Sequence, residues 1–353
     1  MAKVLVVDDS ALMRRLLVNV LRSQGYEVIT ANNGADAVEL LLQAQPDAVT
    51  LDINMPKMDG LTALSLMMAA RPTPIIMVSS LTERGALATL EALALGAVDY
   101  VLKPSGTISL SIDEIAETLC LKLKAALRSR PKTSVKTAAA ESAATPSKPQ
   151  AVRPPMALPA GLNCPVVLIG VSTGGPRTLE EILPKLPADF PAAILVAQHM
   201  PANFTQAFAQ RMDRICALSV REANAVMPLQ PGQVYIGQGG TDMVVSKRLG
   251  RVVVMPATES PSHAWHPSVD VLVESAMQVL PAQQLIGVQL TGMGYDGASS
   301  MAQLRQQGGR TIAESEDSAV VFGMPYELIQ RGGASEVLPA DAVAGQLRKW
   351  VYQ

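Results

Sequence analysis

The chain has 353 residues, 48% of them hydrophobic and 17% charged, with a formal net charge of −2 at pH 7. That length suits two ordinary domains, each able to bury a core, and the charge gives no electrostatic footing for nucleic acid or an anionic membrane. Three scattered cysteines (Cys120, Cys164, Cys216) fit neither a disulfide framework nor a CxxC metal site; the opening MAKVLVVDDS is no secretory signal, and no apolar run approaches the ~18–20 residues of a membrane span, so a cytoplasmic protein without membrane insertion is expected.

The first third alternates short apolar runs with helical periods. KVLVV (3–7) reads as a buried strand ending in Asp8-Asp9, and Ser10 caps a helix with Leu12, Leu16, Leu17, Val20 and Leu21 on one face, stopped at Gly25. Strand EVITA, helix 34–45, strand 48–53 and the loop NMPKMDG follow, then helix 60–70, strand 74–80, helix 83–95, strand 99–104 and helix 113–129. Five strand–helix units predict an α/β fold with a parallel sheet. All strands of such a sheet end on one edge, where ligands bind. Asp8, Asp9, Asp52, Ser79 and Lys103 each stand at a strand end and are expected to converge there. Clustered carboxylates repel unless a cation joins them, and a hard ion such as Mg²⁺ suits oxygen ligands. A metal beside a carboxylate and a lysine is what phosphoryl transfer to that carboxylate requires.

Residues 3–122, with VLVVDDS, LDINMPKMDGL, VSS and DYVLKP, resemble the receiver domain of two-component response regulators. The resemblance implies a flavodoxin-like (βα)5 fold in which Asp52 accepts phosphate from a histidine kinase. It implies that Asp9 binds Mg²⁺ directly with Asp8 supporting, that Asn54 lends its backbone carbonyl, and that Ser79 and Lys103 contact the phosphoryl group. Tyr100 stands where that family's mobile aromatic lies, and reads equally as a half-buried strand aromatic.

Residues 131–160 hold six prolines, eight alanines and no aromatic residue, which suits a semi-flexible linker. The expected division is a receiver over 1–125, a linker over 126–160 and a second domain over 161–353. Leu121, Leu123 and Leu127, just ahead of the proline-rich run, are free to pack on either domain.

The second domain opens on PVVLIGVSTGGP, a buried strand that breaks into a glycine-rich turn and an amphipathic helix bearing Leu179, Ile182, Leu183 and Leu186. Ser172 in that turn fits a G-x-S-x-G nucleophile elbow, with helix N-terminal N–H groups at hand for an oxyanion. A phosphate cradle is the other reading of the same turn. Strand AAILVAQ then leads to His199, helix 204–216 follows, and residues 218–236 read as short strands and turns. The run 237–240 reads as a turn, and MVVSKRL and RVVVMPA form a hairpin around Leu249-Gly250. Helix 268–280 and strand QLIGVQLTG lead to Asp296 behind another glycine-rich turn, before a further helix, strand TIAES and a terminal helix. The domain is therefore expected to be a doubly wound parallel-sheet α/β hydrolytic domain with an added β-hairpin.

A serine needs a base to take its proton and a carboxylate to orient that base. Ser172, His199 and Asp296 supply these roles from three strand ends; Ser172, Asp242 and His263 or His266 are the competing set, and His263 and His266 otherwise read as polar or substrate-facing loop residues. The order Ser…His…Asp departs from that of α/β-hydrolases. Segments IGVSTGGP, QHMP, HPSVDVL, LTGMGYDGA and VVFGMP, spanning 163–335, resemble the catalytic domain of the chemotaxis protein-glutamate methylesterases, the CheB family. The resemblance implies Ser172 as nucleophile, His199 as base, Asp296 as its orienting partner and the Met293 N–H in the oxyanion hole. It implies methylated glutamates of chemoreceptors as substrate, methanol as product, deamidation of receptor glutamines by the same acyl chemistry, and no cofactor in this domain. Two departures bear on substrate contacts: Trp265-His266 where the family often has His-Arg, and Gly240–Met243 where it often has a histidine. A regulator whose second half only binds a partner is the competing function, and it requires Ser172 to be a structural turn.

Overall fold

The computed structural model describes residues 1–80, 82–103, 108–128, 162 and 164–352. The N-terminal half runs β1 (Lys3–Val7), α1 (Ala11–Ser23), β2 (Glu27–Ala31), α2 (Gly34–Ala44), β3 (Ala48–Asp52), α3 (Gly60–Ala70), β4 (Ile75–Ser79), α4 (Glu83–Leu95), β5 (Asp99–Leu102) and α5 (Ile108–Arg128). Its five strands pair in parallel in the order β2-β1-β3-β4-β5. Side-chain caps explain where the helices begin: Ser10, Asn33, Asp59 and Thr82 each accept the backbone N–H three residues on. The central strands β3 and β4 are wholly buried, because helices cover both faces of a parallel sheet. Helix α5 starts earlier than its apolar spacing suggested and runs to Arg128, while Pro104 and residues 129–160 lie outside the described residues. Of the three leucines near its end, Leu123 is buried in the N-terminal core and Leu127 packs against it, whereas Leu121 is exposed.

The C-terminal half runs β6 (Val166–Val171), α6 (Gly175–Ile182), β7 (Ala193–Gln198), α7 (Ala202–Ile215), β8 (Ser219–Ala223), β9 (Met227–Pro228), β10 (Gln233–Gly237), β11 (Asp242–Arg248), β12 (Arg251–Ala257), α8 (Val269–Val279), β13 (Leu285–Gln289), α9 (Ala298–Gln306), β14 (Arg310–Glu314), α10 (Met324–Gln330), β15 (Glu336–Leu338) and α11 (Ala340–Val351). Seven strands form one parallel sheet, β15-β14-β13-β6-β7-β10-β8. The hairpin β11–β12 turns at Leu249-Gly250, both at positive φ as a tight two-residue turn requires, and takes on β9 as a third strand. Residues 218–236, expected as short strands and turns, put β8 and β10 into the main sheet. The chain leaves β6 toward β7 on one side and returns through β13 on the other. Strand order therefore reverses at β6, which opens a crevice beyond its carboxyl end.

The halves touch. Helix α4 packs on α6 and α7, and one buried cluster runs from Leu90, Leu93 and Tyr100 into Leu179, Phe204 and Phe208. The Tyr100 ring stacks on Phe204 with centroids 4.8 Å apart and planes 4° from parallel. Among the described residues no helix is long and apolar enough to cross a membrane, and all three cysteines are free thiols.

Candidate active site

Strands β6 and β7 pair in register through Val171 and Gln198, so the next residues, Ser172 and His199, emerge side by side above the crevice. The Gln198 amide donates to the Ser172 carbonyl at 3.0 Å, and the His199 N–H donates to the Val171 carbonyl at 3.0 Å. Gly174, at φ +80°, turns the chain into α6, whose first residue, Gly175, donates its N–H back to the Ser172 carbonyl at 2.8 Å. Neighbouring strand β13 leads to Thr291, whose carbonyl accepts the Ser172 N–H at 2.9 Å. Gly292 follows against the serine and Met324: a Cβ there would meet the Met324 sulfur first and would lie 2.7 Å from Ser172 Cβ and 3.0 Å from its backbone nitrogen. Gly292→Ala is expected to cost about 1–3 kcal/mol through this overpacking. Chemical denaturation would read it, and an unchanged midpoint would show that Met324 and the serine turn yield freely.

Asp296 is 2% exposed and fully engaged. Its Oδ2 lies 2.8 Å from His199 Nε2 and accepts the Val269 N–H at 2.7 Å; its Oδ1 accepts the Ser268 hydroxyl at 2.9 Å and the Asp270 N–H at 3.1 Å. Two of these N–H groups belong to the N-terminus of α8, where an anion is favoured. Burial pushes its carboxyl pKa up, but the His199 contact and these donors outweigh burial and hold it below the ordinary value. The sign follows: the carboxylate supports the fold at and above ordinary carboxyl pKa values, and that support is lost only as pH falls through the lowered one. The other ring nitrogen, His199 Nδ1, is buried without a hydrogen-bond partner, and the ring lines one cleft with Ser172, Thr173 and Gly174.

The competing carboxylate also holds a histidine. Asp242, 1% exposed, meets His266 Nδ1 at 3.0 Å and accepts the Ser260 and Ser268 N–H groups at 2.8 Å each. His263 Nδ1 meets the hydroxyls of Ser260 and Ser262. Neither histidine lines the cleft at Ser172; Asp242 ties down both ends of the loop that carries them. Met293 follows Gly292 and is partly buried. Ser268, which sequence reasoning passed over inside HPSVD, caps α8 and binds Asp296 at once.

The cleft is closed from the other half of the molecule. Leu93, Asp99, Tyr100 and Lys122 line its far wall, and about 20 Å³ remains open to a water-sized sphere. That is room for one water. Asp99 Oδ2 accepts the Thr173 hydroxyl at 2.6 Å, while its Oδ1 accepts the Tyr100 N–H at 2.7 Å and the Lys122 ammonium at 2.9 Å. No sequence signal pointed to Asp99, because its partner lies 74 residues away. Tyr100 is buried, and burial followed by the Asp99 charge drives its phenol pKa well up.

At the carboxyl edge of the N-terminal sheet, the Lys103 ammonium lies 2.8 Å from Asp52 Oδ2 and 3.1 Å from Asp8 Oδ2. Both of these oxygens are buried. Carboxylate oxygens of Asp8, Asp9 and Asp52 fall within 4.8 Å of one another, a spacing one cation can bridge. Burial raises the Asp52 pKa; the hydrogen bond and charge of Lys103 only partly oppose it. Asn54, exposed, donates its N–H to Asp52 Oδ1 at 3.4 Å. Ser79 is buried one register step beyond Val78, the partner of Asp52, and its hydroxyl accepts that of Thr89 on α4 at 2.7 Å.

Two family models match the chain: CheB methylesterase over residues 167–347 and response regulator receiver domain over residues 4–112. The protein-glutamate methylesterase/protein-glutamine glutaminase 3 of Rhodospirillum rubrum is 53% identical, covering 99% of this chain and 96% of its own length. The corresponding protein 2 of Carboxydothermus hydrogenoformans is 47% identical over 98% of each chain. Among solved structures, the catalytic domain of Thermotoga maritima CheB methylesterase is 39% identical and superposes with a TM-score of 0.52, covering 53% of this chain and 99% of its own.

Proposed function

Because this chain belongs to the CheB methylesterase family and carries a response regulator receiver domain, we propose that it is a phosphorylation-activated protein-glutamate methylesterase. It acts on methylated glutamates of chemoreceptors in sensory adaptation, and on receptor glutamines as a glutaminase. The observation that carries this reading is the pair His199–Asp296: one ring nitrogen is anchored on a buried carboxylate and the other, beside the Ser172 turn, has no partner. A turn serving only the fold has no need of an oriented, half-satisfied imidazole.

The chemistry follows from that orientation. Ser172 Oγ attacks the glutamyl carbonyl while His199 Nδ1 takes its proton, and Asp296 stabilises the imidazolium through Nε2. The Met293 N–H is assigned to the developing oxyanion. His199 returns the proton to the departing methoxide, giving methanol, or to the departing amine of a glutamine, giving ammonia. Water, deprotonated by His199, then attacks the acyl-serine; the acyl–Oγ bond breaks, His199 returns the proton to Ser172 Oγ, and glutamate is released. The expected measurement is methanol release from methylated receptor membranes by the phosphorylated full chain. A folded, phosphorylated protein that releases none overturns the reading.

In the receiver, the buried oxygens of Asp8 and Asp52 that share Lys103, together with the nearby Asp9, suit Mg²⁺. These three carboxylates and the Asn54 carbonyl would hold it, and a bound Mg²⁺ supplies charge neutralisation for phosphoryl transfer. Asp52 accepts the phosphoryl group from a histidine kinase, with Lys103 and Ser79 drawn to it. Asp52→Asn is expected to abolish labelling by a phosphodonor while basal hydrolysis stays within about twofold, since Ser172 lies in the other sheet. Because burial raises the Asp52 pKa, its charge opposes folding above that value, so the variant is also expected to melt higher at neutral pH. The gain should shrink as pH falls through the raised pKa, where wild-type Asp52 is itself neutral. Normal labelling of the variant would remove Asp52 from this role.

A further inference from the structure

A single hydrogen bond from Nε2 to Asp296 fixes one vertex of the His199 ring and leaves its tilt about that contact open. A flat surface supplies what is missing. The Trp265 indole lies face to face on His199, with centroids 5.6 Å apart and planes 5° from parallel. The indole is gripped in turn. Tyr295 meets it edge-on at 5.2 Å and 84°, and the backbone at Gly294 is so close that a Cβ there would lie 2.9 Å from the indole Cζ2. The loop that carries it is tied at both ends: Asp242 accepts the N–H groups of Ser260 and Ser268 and meets His266, and Ser268 also binds Asp296. One loop thus reaches the imidazole by two routes, through the carboxylate at its edge and the indole on its face.

We propose that Trp265 is a positioning residue for the hydrolysis: stacked on His199 and held by Tyr295 and the Asp242-anchored loop, it fixes the imidazole plane so that Nδ1 stays aimed at the Ser172 turn. This rests on the assignment of Ser172 and His199 given above. The placement explains why a large aromatic stands in an otherwise small and polar loop, SPSHAWHPS. It also assigns Asp242–His266, the pair that competes for the catalytic role by residue type, to holding the loop.

The test uses the full-length protein with a phosphodonor present throughout, in wild type, Trp265→Leu and Trp265→Phe. Leu keeps apolar bulk without a ring; Phe keeps a ring that can stack. Two reactions are followed. One is methanol release from methylated receptor membranes, resolved into kcat and KM. The other is labelling by a small fluorophosphonate, in which Ser172 Oγ bonds to phosphorus, fluoride leaves and the serine proton passes to His199. Trp265→Leu is expected to lower kcat about 10- to 100-fold with KM within about threefold, since displacement of a catalytic group by an ångström costs on that order. Labelling should slow in parallel, and Trp265→Phe should restore both to within about threefold of wild type. A defect confined to KM, an unaffected labelling rate, or a Phe variant as impaired as Leu would overturn the proposal. Failure of the underlying assignment looks different: wild type would then resist labelling, or Ser172→Ala would label as fast.

Discussion

Ser172→Ala is expected to lower methanol release from methylated receptor membranes by at least about 10³-fold, leaving only substrate binding and oxyanion stabilisation. Folding should be nearly unchanged, because the structural contacts of this residue run through its backbone: its N–H to Thr291, its carbonyl from Gln198 and Gly175. His199→Ala should be as severe. The double variant should be little worse than either, since a nucleophile without its base and a base without its nucleophile fail at the same step. His266→Ala, which removes a loop anchor on Asp242, should be far milder. Substantial activity in Ser172→Ala, or a His266→Ala defect exceeding that of His199→Ala, would remove the proposed triad.

Removing the receiver, leaving residues 141–353, is expected to raise hydrolysis at least about tenfold over the unphosphorylated full chain, which corresponds to a shift of about 1.4 kcal/mol in the docked–open balance. The closed cleft has about 20 Å³ of open space, enough for a water but not for a methylated glutamate on a receptor. What closes it comes from the receiver: Asp99 on Thr173, beside Ser172, and Tyr100 on Phe204. The seven-stranded sheet and a core cluster of its own remain in the truncated protein, so it keeps the means to fold. Asp99→Ala in the full chain should move in the same direction, since it removes the hydrogen bond across the halves. Phosphate would act along short routes. Lys103 follows β5, whose first residues are Asp99 and Tyr100, and the Ser79 hydroxyl is bonded to Thr89 of α4, the helix that leans on α6 and α7. Drawing Lys103 and Ser79 toward a phosphoryl group therefore disturbs both contact regions. Activation by a phosphodonor should vanish with the receiver. A folded truncated enzyme no faster than the unphosphorylated full chain would mean that phosphorylation acts by another route, such as recruitment of the receptor.

By itself the sequence determined the two α/β sheets and the strand ends on which Asp8, Asp52, Ser79, Lys103, Ser172 and His199 stand. Burial of a parallel strand demands a continuous apolar run, so the first polar residue after each run marks the sheet's functional edge. The hairpin was equally legible, since Leu249-Gly250 between two β-branched runs is a local signal. Short elements were not: β9 spans two residues, β15 three and α10 seven, too few for a period to register. The rest was decided only by tertiary structure. Among the described residues two histidine–carboxylate pairs form, His199–Asp296 and His266–Asp242, and residue types cannot rank them. Strand order sets β7 beside β6 and so brings His199, with its Nδ1 unpartnered, next to Ser172, which is what favours the first pair in the proposed triad. Tyr100, ambiguous between strand filler and switch, became a contact between the halves only because Phe204 meets it. Asp99–Thr173 and Trp265–His199 join residues from separate elements. Such contacts carry no periodicity and no spacing; they exist because folded layers bring distant surfaces together, and that information resides in the packing.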